Sequence, residues 1–132
     1  MKKFFVGVLV VVLILSFGTV GFAETVEFEY VCYTNVESTF ARAKKADSER
    51  KFYVRQTSTT DSFPVYYTSR DAYGNVVSYG IYFAASETGR KSRAYHDDYT
   101  VVVGGYYNLG AFPYDGVYQG EAGLMVEGRW TP

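Results

Sequence analysis

From residue 24 onward the hydrophobic positions recur with a period of two rather than 3.6, the spacing of strands rather than helices. In residues 25–33, Val26, Phe28, Tyr30 and Cys32 fall on one side while Glu27 and Glu29 fall on the other, as a half-buried strand requires. Residues 51–57 repeat the pattern, with Phe52 and Val54 opposed to Tyr53 and Arg55. Residues 64–68 form a short Val/Tyr run whose proline places it at a strand start or an edge. Residues 71–75 (Asp-Ala-Tyr-Gly-Asn) are turn chemistry, because Gly and Asn tolerate positive φ. They lead into 76–84, where Val77, Tyr79, Ile81 and Phe83 share one face. Residues 99–103 and 116–118 predict further short strands. Residues 122–126 put Ala122, Leu124 and Val126 on one face, with Gly128 closing the strand.

Residues 35–50 carry two patterns. Val36, Phe40 and Ala43 sit at helical spacing behind Asn35 as a possible N-cap, but only three apolar anchors would hold such a helix. An extended charged hairpin, 39–45 followed by 51–57 across Ala46-Asp47-Ser48-Glu49, is the preferred alternative. Residues 58–62, 85–92 and 104–113 read as loops. About 7–9 short strands, with turns at intervals of about ten residues, predict an all-β fold: one small antiparallel sandwich or barrel.

The first 23 residues follow a different rule. Lys2 and Lys3 precede an uncharged apolar run from Phe4 to Phe17, and Gly21-Phe22-Ala23 puts small residues at the −3 and −1 positions of a cleavage site. The expectation is a signal-peptide helix over 1–23, cleaved after Ala23, a single β-rich domain over 24–132, and a secreted product. With no lipid-anchoring cysteine after the cleavage point and no apolar tail at 130–132, no stable membrane anchor is expected after cleavage.

Composition sharpens this reading. Residues 24–132 hold all 14 Tyr, six of the ten Phe and the one Trp, but only two Leu (Leu109, Leu124) and one Ile (Ile81). That balance excludes a disordered tail and a helical bundle. Removing Lys2 and Lys3 from 13 basic residues leaves 11 against 14 acidic ones, a net charge of −3. The basic stretch Arg42, Lys44, Lys45, Arg50, Lys51 is interrupted by Asp47 and Glu49 and reads as a solvated mixed-charge face. No nucleic-acid partner is expected from such a composition. Cys32 is the single cysteine, and its place in the alternation predicts a buried thiol acting as a small apolar group.

The search for chemistry yields no catalytic constellation. The one histidine, His96, lies in Tyr95-His96-Asp97-Asp98, where successive strand residues would point to opposite faces, and no metal-ligand spacing accompanies it. Neither a cofactor nor a metal is expected. A pair of acids could run glycosidase chemistry without histidine, so a small carboxylate-based hydrolase stays open. The enriched feature with chemical content is tyrosine, which offers an apolar face and a polar tip to sugars and proteins. Tyr66, Tyr67, Tyr106, Tyr107, Tyr114, Tyr118 and Trp130 are the expected binding surface, because adjacent strand residues cannot all face one core.

The export signal, Arg42-Ala43-Lys44 followed by Ser48 and Phe52-Tyr53-Val54, and the terminal Gly128-Arg129-Trp130-Thr131-Pro132 together resemble a family of uncharacterised small secreted proteins of Gram-positive bacteria that tend to end in Gly-x-Trp-Ser/Thr-Pro. A more distant similarity is to lactococcin-972-like exported bacteriocins. The first resemblance implies a β-rich domain and assigns no catalytic residue; the second implies a secreted toxin, whose mature chains are usually basic where this one is not. The functional expectation is a non-enzymatic extracellular binding module whose partner is a cell-surface glycan or an extracellular protein. A bacteriocin-like toxin is the alternative.

Overall fold

The computed structural model describes residues 24–32, 38–59, 64–113 and 124–132. The expected signal-peptide helix and the expected strand at 116–118 lie outside them. The described residues form eight strands: β1 (Val26–Cys32), β2 (Ser38–Lys44), β3 (Lys51–Thr59), β4 (Val65–Arg70), β5 (Ile81–Phe83), β6 (Gly89–Ala94), β7 (Tyr106–Pro113) and β8 (Leu124–Thr131). They build two four-stranded sheets, ordered β1-β8-β3-β6 and β2-β7-β4-β5, with every pairing antiparallel. The sheets do not close on each other, which decides between the two expected architectures in favour of the sandwich.

Alternation supplies the core. Phe28 and Cys32 from β1, Leu124, Val126 and Trp130 from β8, and Phe52 and Val54 from β3 meet Val65 and Tyr67 from β4, Ile81 and Phe83 from β5, and Tyr107, Leu109 and Ala111 from β7. Aromatic rings fill the interior in two groups. Tyr67 meets Phe83 edge-on at 5.7 Å and Phe28 at 5.9 Å, while Tyr95 packs against Phe52, Tyr99 and Tyr107 at 5.5–6.1 Å. These tilted and edge-to-face arrangements suit the ring quadrupole, and Tyr stands in for the scarce Leu and Ile. Cys32 is fully buried, as its position in the pattern implies, and burial pushes its thiol up to about 12.

Several expectations are corrected. The extended reading of 39–45 and 51–57 holds, but the two segments do not form a hairpin: β2 pairs with β7, and β3 with β8 and β6, in the opposite sheet. The crossing between sheets begins at Lys45, whose N–H and C=O bond Gly105 and Gly104. The Lys45 side chain, 1% exposed, donates from Nζ to the Pro132 carbonyl at 2.8 Å and to Asp47 Oδ1 at 3.0 Å. The basic stretch is therefore solvated only in part. Residues 104–113 are not a loop; they contain β7, a central strand, because Tyr107, Leu109 and Ala111 alternate beneath the misleading Gly and Pro residues. Residues 85–92 contain most of β6, which has no large apolar residue to announce it.

Residues 99–103 form no strand; Val102 and Gly105 close a turn there instead. Within 76–84 only β5 is a strand, and Tyr79 is exposed rather than sharing the buried face of Val77, Ile81 and Phe83. Gly128 does not end β8 but lies in its middle, buried. A Cβ there would run into the Arg55 carbonyl and the Phe28 ring, so β8 can pass the β-bulge between Gln56 and Ser58 of β3 only without a side chain.

Candidate functional site

The turn that joins β4 to the bridge at Val76 is built by one carboxylate. Asp71 Oδ1 accepts the Tyr73 and Asn75 N–H groups, both at 2.9 Å, and Oδ2 accepts Asn75 Nδ2 at 3.1 Å. Gly74, at φ 88°, donates its N–H to the Asp71 carbonyl, and Arg70 Nη1 holds the Gly74 carbonyl at 2.7 Å. Burial pushes the Asp71 carboxyl up, but the bonds from Asn75, Tyr73 and Gly74 outweigh it and hold the group below its ordinary value. With its backbone fixed on both sides, the turn presents the Tyr73 side chain at 92% exposure.

Facing the turn is the 99–106 segment. Arg50 anchors its start, donating to the carbonyls of Tyr99 and His96 at 2.9 and 2.8 Å. The Tyr107 hydroxyl accepts the Val102 N–H at 2.9 Å and shares a hydrogen with Tyr99 at 3.0 Å. Between turn and segment lies an open groove of about 380 Å³ whose lining includes Asp71, Tyr73, Tyr99, Val102, Tyr106 and Tyr107. Tyr106 is 46% exposed and carries the Arg42 guanidinium 4.3 Å above its ring, which restricts one face and orients the other. Aromatic rims over a floor of paired hydroxyls can hold a planar or ring-shaped ligand by stacking.

The expected tyrosine surface is only partly realised. Tyr67, Tyr107 and Trp130 are core residues, because in each pair of neighbours the strand turns one member inward: Tyr67 against Tyr66, and Tyr107 against Tyr106. Tyr66 lies half-buried on the outer face, packed on Phe112 at 5.1 Å and lying over Gly80, opposite Tyr82 and away from the groove. Tyr114 and Tyr118 lie outside the described residues. Among the described residues, Tyr106 is the expected residue exposed at the groove, with buried Tyr107 presenting its hydroxyl to the floor, and Tyr73 is a rim residue absent from the expected surface. Its signal was available: a tyrosine at the centre of a Gly/Asn turn cannot enter a core.

His96 is occupied structurally. Its ring stands edge-on to Tyr79 at 4.9 Å, its N–H donates to Val77, and its carbonyl accepts Tyr99 N–H and Arg50. Among the described residues no group of three His, Cys, Asp or Glu side chains could hold a metal ion. The β1–β8 register sets Glu29 directly opposite Glu127, and both line a second open groove of about 480 Å³ together with Glu27 and Arg129.

No protein-family model and no curated protein matches the chain. Among solved structures it is similar to FlgD from P. aeruginosa, with 17% identity over 81% of this chain and 73% of that one and a TM-score of 0.41, a likeness too slight to bear on function.

Proposed function

We propose that this β-sandwich is a non-enzymatic extracellular binding module and that the groove between the 71–75 turn and the 99–106 segment receives a sugar ring of a cell-surface glycan. The observation that carries the reading is the joint placement of Tyr73 and Tyr106 on one groove, one on a turn locked by Asp71 and the other beneath Arg42. The Tyr73 backbone is fixed by Asp71 and the Tyr106 ring by Arg42, so both aromatic side chains are presented to solvent from set positions. The export signal over residues 1–23 supports an extracellular setting.

The test is co-sedimentation of the protein with purified cell wall, and affinity measurement against soluble glycans. Tyr73→Ala and Tyr106→Ala should each weaken retention about tenfold, at the scale of one stacking contact of 1–2 kcal/mol, without shifting the thermal midpoint. Failure of the wild type to bind any glycan, or full-strength binding by the double variant, would overturn the reading.

A second reading, a carboxylate-based hydrolase, has the Glu29–Glu127 juxtaposition in its favour. Release of reducing ends from glycan that stops in Glu127→Gln would establish it, and absence of turnover would remove it.

A further inference from the structure

The outer face of the β1-β8-β3-β6 sheet carries an arrangement that folding alone does not explain. In the registers of β8 and β6 on β3, Arg129 lies directly opposite Arg55, and Arg55 directly opposite Arg90. Three arginines therefore occupy one row across three adjacent strands, whose backbones are spaced roughly 5 Å apart. Like charges directly opposite one another destabilise a sheet. Among the described residues only Arg129, on β8, is paired with an acid: Glu27, opposite it on β1, accepts from Nη2 at 2.8 Å. Among the described residues Arg55 has no carboxylate and no hydrogen-bond acceptor for its side chain. Glu29 and Glu127 occupy the next row beyond Glu27 and Arg129, while the row on the other side (Thr131, Tyr53, Ser92) is uncharged.

The same three arginines line one groove of about 250 Å³, together with Thr25, Thr131 and Tyr53. Its walls are fixed. Tyr53 lies beneath Arg90, with the guanidinium 4.2 Å from the ring centre, and the Tyr53 hydroxyl is tied to Glu49. The Thr25 and Thr131 hydroxyls share a hydrogen bond at 2.9 Å, which leaves one hydroxyl hydrogen to donate. A planar, always-charged fork with unused donors, flanked by two more forks, has the geometry that phosphate, sulfate and carboxylate groups recognise.

We infer that the Arg55–Arg90–Arg129 row is an oxyanion-binding site, independent of the tyrosine groove and on the opposite face of the sandwich, that takes a tetrahedral phosphate or sulfate group, either free or carried on a polysaccharide. The bound anion offsets the repulsion that the bare row keeps. Charges farther away are screened in physiological salt beyond about 8 Å, so the net negative charge of the chain does not by itself oppose this.

The experiment titrates the protein with sodium phosphate against sodium chloride at matched ionic strength, following calorimetry and the arginine side-chain NMR signals, and in a second arm with dextran sulfate against uncharged dextran. Saturable binding in either arm is expected. Arg55→Ala should weaken it at least tenfold, Arg55→Lys by less, and Arg93→Ala, opposite Phe52 and so on the other side of β6 from Arg90, should leave it unchanged. Binding of phosphate shows that the free ion suffices; a response to dextran sulfate alone assigns the polymer-borne group. In chloride, Arg55→Ala should melt at the same or a higher temperature than wild type, since it removes a like-charge neighbour. Should that variant fail to fold, Arg90→Gln must show the same loss of binding. No saturable binding in either arm, or binding that these substitutions do not move, would overturn the site.

Discussion

The Tyr67 hydroxyl donates to Gln56 Oε1 at 2.6 Å across the interior of the sandwich, a direct hydrogen bond between a β4 side chain and a β3 side chain of the opposite sheet. Gln56 passes the chain on, donating from Nε2 to the Glu87 carbonyl at 2.7 Å. Gln56 is the buried amide that breaks the apolar run of β3, and both ends of it are satisfied. Gln56→Leu strands the Tyr67 hydroxyl and the Glu87 carbonyl together, so it should cost about 2–4 kcal/mol, while Tyr67→Phe should cost about 1–3 kcal/mol. The double variant should lose less than the sum, because the second change removes a group the first has already orphaned. Urea unfolding of the four proteins measures all three quantities.

Trp130 and Tyr73 should separate stability from binding. Trp130 is buried and its Nε1 has no hydrogen-bond partner among the described residues. Trp130→Ala should therefore cost about 3–5 kcal/mol from lost burial and cavity formation. Trp130→Phe should cost only about 1 kcal/mol, since it also removes an unpaired N–H. Tyr73→Ala should change stability by less than about 0.5 kcal/mol, as its side chain is almost wholly in solvent. Thermal and chemical denaturation of the three variants check the ranking.

Raising the pH should unfold the protein from about pH 9 upward. Burial raises the Cys32 thiol from 9.0 to about 12, and burial also raises the hydroxyls of Tyr67, Tyr95 and Tyr99 above their ordinary value of 10.0. For each, the unfolded chain releases its proton first. Stability is thus fully present below pH 9 and falls as the pH climbs between the unfolded and folded values. Tyrosinate absorbance should show an early phase from exposed rings and a late phase coincident with loss of structure. Native Cys32 should resist alkylation at pH 8 and react once the protein is denatured.

Two glycines should respond unequally to alanine. At Gly128 the intruding methyl meets the backbone carbonyl of Arg55, which cannot swing aside, so Gly128→Ala should cost about 3 kcal/mol. At Gly80 it meets the outer end of the Tyr66 ring, which can turn away from Gly80, and the cost should be about 1 kcal/mol. Differential scanning calorimetry distinguishes the two.

Strands that alternate cleanly were readable from the sequence. β1, β3 and β4 lie where Phe28, Cys32, Phe52, Val54 and Tyr67 place them, within two residues at each end. The strands that were missed lack that contrast. β6 is Gly-Arg-Lys-Ser-Arg-Ala, and what fixes it is pairing to β3, a non-local fact with no local signature. β7 was hidden because Gly110 and Pro113 imitate loop chemistry, and β8 because Gly128 imitates a terminator while marking a close crossing. The site divides in the same way. Strand parity decides which of Tyr66 and Tyr67, or Tyr106 and Tyr107, faces outward, and a one-residue difference in register reverses it. The arginine row was invisible for a deeper reason: Arg55, Arg90 and Arg129 are far apart in the chain and become neighbours only through two separate pairings.

The order of the strands leaves four of them on the outside of their sheets, β1, β6, β2 and β5, and each is ill-suited to recruit another chain. β1 turns Glu27 and Glu29 outward, and β6 carries Arg90, Lys91 and Arg93. β2 is distorted at Ala41, which takes φ 51° at a break in its register, and β5 is three residues long. Charge, kink and brevity are separate defences against templated strand addition. A protein so rich in aromatic, strand-forming sequence thereby carries its own protection against amyloid-like growth.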